Sequence, residues 1–256
     1  MKVKEAFNKG KAFIAFLTCG DPDIETTERL IAEMEKDGAD LIELGIPFSD
    51  PTAEGPVIQG ANIRALSKGI TTDKIFDMVK RVRKTVKIPL VFMTYANVVF
   101  SYGTERFVKN AAEAGVNGLI LPDVPYEEKD EFAVPCEKGG LDFISLIAPT
   151  SENRIASIAK DAMGFVYCVS SLGVTGVRTA ITSDIGGMVS IVRSVSDIPV
   201  AVGFGISTPE QAADMAAKSD GIIIGSAIVK IIAQYGADSV KPVGEYVKSI
   251  RAAIDK

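Results

Sequence analysis

Glu43 lies inside an apolar run, residues 39–46 (ADLIELGI), where water should be scarce. The loop that follows carries two more carboxylates, Asp50 and Glu54, set among Pro47, Pro51 and Pro56. A carboxylate in an apolar strand is expensive to bury unless it is paired or used. Paired, it is a structural ion; used, it is an acid or base whose pKa burial has raised. The prolines stiffen the loop. Asp50 and Glu54 could ligate Mg²⁺ or simply be solvated, and nothing in the sequence completes a coordination set, so no metal is expected. Three later loops are rich in glycine: SSLGVTG at 170–176, VGFGIS at 202–207 and IIIGSAIVK at 222–230. Each follows an apolar run. Such turns bring backbone N–H groups close to a phosphate, and a helix N-terminus adds positive potential. Any one of them could be an ordinary tight turn; three at matching positions favour a phosphate pocket. GFGIS lacks the third glycine of a dinucleotide fingerprint, which argues against NAD.

Composition removes other chemistries. The 256 residues include no histidine and no tryptophan, and 28 basic against 33 acidic side chains give a net charge of −5. Without histidine there is no Ser-His-Asp triad, no Cys-His pair and no His-ligated zinc. Acid–base work near neutral pH falls to carboxylates, Lys, Tyr or Cys. Mild acidity gives no reason to expect nucleic acid or an anionic membrane as a partner. Cys19, Cys136 and Cys168 are odd in number and widely spaced, as buried thiols in a reducing compartment are. The N-terminal MKVKEAFNKGKAF has no apolar core of a signal peptide. The longest charge-free apolar run, 221–229, is broken by Lys230 and falls short of a membrane span. A soluble, cytoplasmic protein is expected.

Elements must hold these groups in place. Short runs rich in Ile, Leu, Val and Phe predict strands at 12–18, 40–44, 90–93, 118–121, 143–146, 165–169, 200–202 and 222–224. They alternate little, as strands covered on both faces do. Helical stretches fall between them at 26–36, 72–85, 104–114, 127–138, 151–159, 183–195 and 209–217. A small phrase recurs before strands: DGAD (37–40), AGVN (114–117), KGGLD (138–142) and KSDG (218–221). In each, a small residue ends a helix and a polar one turns the chain into a strand, the mark of a βα repeat. Eight near-equal units within this length favour a closed α/β (β/α)₈ TIM barrel over an open doubly wound sheet. No linker or charge block divides the chain, so one catalytic domain, 1–256, is expected.

In such a barrel, sites gather at the C-terminal ends of strands. There the sequence places Phe16 before TCGDP, Glu43 before its loop, Tyr95 and Asn97 in FMTYANVVF, Asp123 in LILPDVPYEE, and Tyr167 in FVYCVSS. The phosphate turns come last, at Gly205 and at Gly225-Ser226, where barrels typically bind phosphate. Each polar group could equally be a satisfied structural one, and Phe16 could be core.

Taken together these motifs resemble the tryptophan synthase α-chain family. The resemblance runs along essentially the whole chain, through AFLTCGDP, ELGIPFSDPTAEGP, MTYANVVFSYG, LPDVPYEE, SSLGVTG, VGFGIS and GSAIVKII. The second motif is close to diagnostic; the phosphate turns are shared by many barrels. The resemblance implies a carbon–carbon lyase of tryptophan biosynthesis, cleaving indole-3-glycerol phosphate to indole and glyceraldehyde 3-phosphate by a retro-aldol reaction. It implies that Glu43 is the general acid–base, that Glu54 is the second catalytic carboxylate and that Tyr167 stands beside Glu43. Gly176, Gly205, Gly225 and Ser226 match the phosphate turns. Phe16, Met93, Ile120, Ile147, Thr175 and Phe204 match the indole and glycerol pocket. The sequence departs from the family at two places: DPTAEGP carries Glu54 where a DPxADGP context has Asp, and Ser171 stands where some members carry Arg.

The resemblance also implies a partner, a β chain in an α₂β₂ heterotetramer. That partner would hold pyridoxal phosphate, and this chain would hold no cofactor. Asp50, Pro51, Asn97, Asp123 and Pro125 would face it, although Asp, Asn and Pro are also ordinary turn residues. Two other readings are a different sugar-phosphate barrel enzyme, such as an epimerase, and an activator subunit with little catalysis. The missing histidines count against a His-metal epimerase, and the retained carboxyl charges count against a silent subunit.

Overall fold

The protein is described as a computed structural model over residues 2–169, 184–203 and 205–255. Its sheet contains β1 (Ala12–Thr18), β2 (Leu41–Gly45), β3 (Leu90–Met93), β4 (Gly118–Ile120), β5 (Asp142–Phe143), β6 (Ser145–Ile147), β7 (Val166–Val169), β8 (Val200–Gly203) and β9 (Gly221–Ile224). Their order is β5-β4-β3-β2-β1-β9-β8-β7-β6, and the paired strands are all parallel. The two ends of this list are one strand position. The expected strand 143–146 breaks at Ile144 into β5, which pairs with β4, and β6, which pairs with β7. Ile144 bridges them by donating its N–H to Leu119 O at 2.9 Å. Eight strand positions therefore close the barrel, as expected.

Alternation along each strand sorts the core into two layers. Ile14, Leu41, Val91, Ile120, Tyr167, Ala201 and Ile223 form the barrel interior. Their neighbours, including Phe13, Ile42, Phe92, Val166, Val202 and Ile222, pack outward against helices. β1, β2, β4, β8 and β9 are buried along their whole length, which is why these strands read as unbroken apolar runs. A short 3₁₀ turn, Val3–Phe7, plugs the N-terminal end of the barrel, where Phe7 meets Phe165 at 5.6 Å between ring centres.

Around the sheet run α1 (Ile24–Lys36), α2 (Pro56–Ser67), α3 (Thr72–Val82), α4 (Ala96–Tyr102), α5 (Thr104–Ala114), α6 (Asp130–Gly139), α7 (Glu152–Lys160), α8 (Ile185–Val195), α9 (Pro209–Lys218), α10 (Ser226–Tyr235) and α11 (Val240–Ile254). Several begin on side-chain caps: Asp23, Thr71, Ser151, Asp184 and Thr208 each accept a hydrogen bond from an N–H of the first turn. Four of these helices, α2, α4, α10 and α11, are additions to the sequence-based expectation. Among the described residues no helix is long and apolar enough to cross a membrane.

Candidate active site

Register and alternation together set the floor of the site. Phe16 and Glu43 are paired across β1 and β2, both on inward positions near the C-terminal ends. Gly45, two residues on, gives Phe16 its space: a Cβ there would lie 2.6 Å from Phe16 Cζ. Gly225 lies on the other side, where a Cβ would be 3.1 Å from Phe16 Cδ1. Across the barrel, Tyr167 stands on β7 against Gly203, where a Cβ would be 2.6 Å from the Tyr167 hydroxyl. Glycine at these positions is what lets two aromatic rings turn inward at the mouth.

Glu43 is fully buried. Neither of its carboxylate oxygens has a hydrogen-bond partner among the described residues. Burial alone pushes its pKa from the usual 4.5 to about 8, so the protonated acid predominates at neutral pH. A structural ion would show a cation beside it; among the described residues this carboxyl has none. Tyr167 is also buried, and burial together with the Glu43 charge holds its phenol well above the usual value. It therefore stays an O–H donor.

Glu54 arrives from the other direction. The loop after β2 is braced by Tyr95, whose hydroxyl accepts the Ala53 N–H at 3.1 Å and whose ring lies 5.4 Å from that of Phe48. It ends where α2 begins, with Gly55 as N-cap and Pro56 in the first turn. Asn62, two turns into α2, donates its amide to Glu54 Oε2 at 2.6 Å. Burial raises the Glu54 carboxyl to about 7, and the Asn62 bond opposes that rise. The helix itself is clamped further along. Arg64 donates Nε and Nη2 to the two oxygens of buried Asp21, each at 2.8 Å.

These elements enclose one cavity of about 530 Å³, its mouth included, with Phe16, Glu43, Glu54, Met93 and Tyr167 on its walls. Gly205, Gly225 and Ser226 close the side where α10 begins. Gly205 has φ +88°, a conformation that favours glycine, and Gly225 is the N-cap of α10. Among the described lining residues there is no lysine or arginine. An anion here would be met by backbone N–H groups and the helix N-terminus. Among the described residues no cluster of carboxylates and thiols could hold a metal ion.

The remaining expected residues fall into four groups. Ile120 is buried in the barrel interior, paired with the cavity-lining Met93, and is not itself among the lining residues. Ile147 is buried in the outer core, on the opposite side of the strand from Ile144 and Leu146, which pack with the barrel interior. Thr175, Gly176 and Phe204 lie outside the described residues, as does Ser171. Asp50, Asn97, Asp123 and Pro125 are exposed and Pro51 is half-buried, all in segments following strand ends. Asp123 also has a structural task, accepting the Ala96 N–H at the start of α4 at 3.1 Å.

Sequence reasoning missed three lining residues and one support. Ile58, Ile206 and Ile223 line the cavity, and Asn62 holds Glu54. Ile223 was accessible in principle, since strict alternation in β9 turns it inward. Ile58 and Asn62 required α2 to be recognised first; they share its buried face with Ala61 and Ala65.

A family model described as "Tryptophan synthase alpha chain" matches residues 3–254. The tryptophan synthase alpha chain of Lacticaseibacillus casei is 46% identical over 254 residues, covering 99% of this chain and 96% of its own. The crystal structure of tryptophan synthase subunit alpha from Legionella pneumophila superposes with a TM-score of 0.90 at 39% identity, over 100% of this chain and 99% of that one. A structure of the tryptophan synthase α₂β₂ complex from the hyperthermophile Pyrococcus furiosus, described as a basis of mutual activation, gives a TM-score of 0.85 at 32% identity, over 95% and 99% of the two chains.

Proposed function

The chain belongs to the tryptophan synthase alpha chain family, lyases that cleave indole-3-glycerol phosphate to indole and glyceraldehyde 3-phosphate, and we propose that Glu43 and Glu54 carry that reaction here. The observation behind this assignment is the placing of both carboxyls on one cavity wall system, one of them fully buried and unpaired among the described residues.

The proton inventory fits a single acid–base group. Glu43, protonated at neutral pH, gives its proton to indole C3. That turns the ring into a leaving group. The resulting carboxylate then takes the proton of the glycerol hydroxyl next to the scissile bond. The hydroxyl becomes a carbonyl, the carbon–carbon bond breaks, and its electron pair returns to the ring. Glu43 ends as it began. Glu54 accepts the indole N–H and stabilises the positive charge that develops there, which requires its ionised form. Tyr167 borders the same space as a neutral donor beside Glu43.

Phe16 and Met93 offer apolar surface to the indole. Gly205, after β8, and Gly225 and Ser226, at the start of α10, hold the phosphate through N–H groups. Thr175, Gly176, Phe204 and the expected pocket residue Ile120 belong to the same assignment as expectations from family likeness.

The chain pairs with a β chain in an α₂β₂ heterotetramer, with pyridoxal phosphate on the partner. The Pyrococcus furiosus complex supports this, and Asp50, Pro51, Asn97, Asp123 and Pro125 sit at strand-end loops suited to that contact. A cytoplasmic location accords with three buried free thiols.

The decisive experiment is indole release from indole-3-glycerol phosphate by the purified chain, alone and with a β chain. Wild type releases indole and Glu43→Gln does not. Full activity in Glu43→Gln would overturn the assignment of Glu43; no indole from wild type even with the β chain would favour an activator subunit.

A further inference from the structure

Glu54 is a three-torsion side chain on a loop, yet its task requires one orientation and one charge state. Fixing such a side chain has an entropic cost that some neighbour must offset. The described hydrogen-bond partner of its carboxylate is Asn62, at 2.6 Å on Oε2. Asn62 is 4% exposed, and a polar amide buried to that degree is costly unless its hydrogen bonds are made. Its helix cannot drift easily. Buried Ile58, Ala61 and Ala65 seat the same face, and the bidentate Arg64–Asp21 pair ties α2 to the loop after β1. The amide is thus presented from a rigid element, whereas the carboxylate it holds belongs to a loop. Gln59 adds a backbone anchor, donating its side-chain amide to Glu54 O at 2.7 Å.

We infer that Asn62 is a positioning residue for the lyase reaction, orienting Glu54 and holding it in the ionised form that receives the indole N–H. This inference rests on the catalytic assignment of Glu54 above. Its electrostatic logic is direct. Burial favours the neutral acid, and an N–H donated to the charged form favours the carboxylate. The described titratable groups around Glu54 are Tyr95 across the loop and, on the same cavity wall system, Glu43 and Tyr167; none of these carries positive charge. Arg64, on the same helix, is committed to Asp21. Asn62 is therefore the described group that opposes the desolvation of Glu54. The amide also explains how a glutamate serves in this loop. Donation from α2 to one oxygen leaves the other for substrate and fixes the reach of the longer side chain.

Two readouts test it. The first is the titration of the Glu54 carboxyl, followed by NMR on ¹³C-glutamate-labelled protein with Glu54→Gln for assignment. Asn62→Leu, close in volume, should move that titration to higher pH. The second is indole release across pH. In Asn62→Leu, kcat at neutral pH should fall about tenfold with KM held within about twofold, and the acid limb should move up with the titration. Raising the pH should recover part of the lost rate. A merely structural residue would lower kcat without moving the acid limb. Asn62→Asp keeps the shape and serves if the leucine variant does not fold. Two carboxylates so close cannot both ionise readily, so the last proton of the pair should leave well above pH 7. An unmoved Glu54 titration in either folded variant overturns the role of Asn62. A moved titration with full activity in Glu54→Gln overturns instead the catalytic reading of Glu54.

Discussion

Phe16 and Glu43 occupy one rung of the barrel, paired across β1 and β2, so a buried carboxyl faces the cavity beside an aromatic ring with no cation among the described lining residues to neutralise it. This relationship has a measurable stability consequence. Glu43 binds its proton more tightly folded, at about 8, than at the usual 4.5. Between those values the unfolded chain releases a proton that the folded chain keeps, so stability falls as pH rises through the window. Below about pH 4.5 the contribution is fully present. By pH 8 the cost is on the order of 4 kcal/mol, comparable to losing two buried aliphatic side chains. Glu43→Gln removes the ionisation and keeps the shape. Its Tm should exceed that of wild type by about 5–15 °C at pH 8, with the gap closing toward pH 4.5, in paired thermal melts. A constant gap across pH would mean that ionisation of Glu43 is not its source.

The same two carboxyls set the pH dependence of turnover. The productive form has Glu43 protonated and Glu54 ionised. Glu54, raised to about 7 by burial, limits the acid side, and Glu43, near 8, limits the alkaline side. The kcat profile should be a narrow bell peaking between about pH 7 and 8, its limbs reporting the pair rather than either group alone. Glu54→Gln should flatten the acid limb while lowering kcat by about 10²-fold, as loss of one charge-stabilising group does. A broad plateau from pH 5 to 9 in wild type would contradict these protonation states.

Gly203 predicts a steric result. A Cβ at that position would sit 2.6 Å from the Tyr167 hydroxyl and 2.7 Å from its ring. Tyr167 is hemmed by the barrel interior, so relief must come by displacement toward the cavity. Gly203→Ala should cost about 1–3 kcal/mol of stability by overpacking. It should also raise KM several-fold, and Gly203→Ala/Tyr167→Phe should regain stability by removing the nearest oxygen. Chemical denaturation and initial rates on the single and double variants measure both. Unaltered KM in a folded Gly203→Ala protein would show that the ring can yield elsewhere.

The sequence-level reading succeeded where burial is two-sided and failed where apolar residues face both ways. β1 and α5 end where the apolar runs end, and the closed barrel follows from eight such runs. Helix α2 was hidden because Ile63 and Leu66 are exposed while Ile58 and Asn62 are buried, so the segment has little amphipathic contrast. Helix α10 was hidden because its apolar residues continue the run of β9 through Gly225 and Ser226. Losing α2 also meant losing Asn62, a polar residue whose meaning depends on facing Glu54. The carboxyls themselves were legible because Glu43 violates its apolar surroundings. Ile147 was expected from family likeness and not from alternation, which turns Ile144 and Leu146 toward the interior and Ile147 toward the outer core.

The start of α10 provides the last prediction. Gly205 has φ +88°, and its neighbours in the cavity wall are Gly225, the N-cap of α10, and Ser226, its first residue. Valine at 205 would be both strained in that conformation, by about 1–3 kcal/mol, and bulky toward the phosphate. Since no described lining residue is cationic, phosphate affinity depends on N–H groups and the helix N-terminus, which a displaced turn would misalign. Gly205→Val should therefore raise KM for indole-3-glycerol phosphate by about tenfold or more while lowering kcat less. Glyceraldehyde 3-phosphate should weaken in parallel as a product inhibitor, whereas inhibition by indole, which carries no phosphate, should change little. Equal weakening of both would place the damage in the whole cavity. An unchanged KM, with the variant folded, would remove Gly205 from the phosphate site.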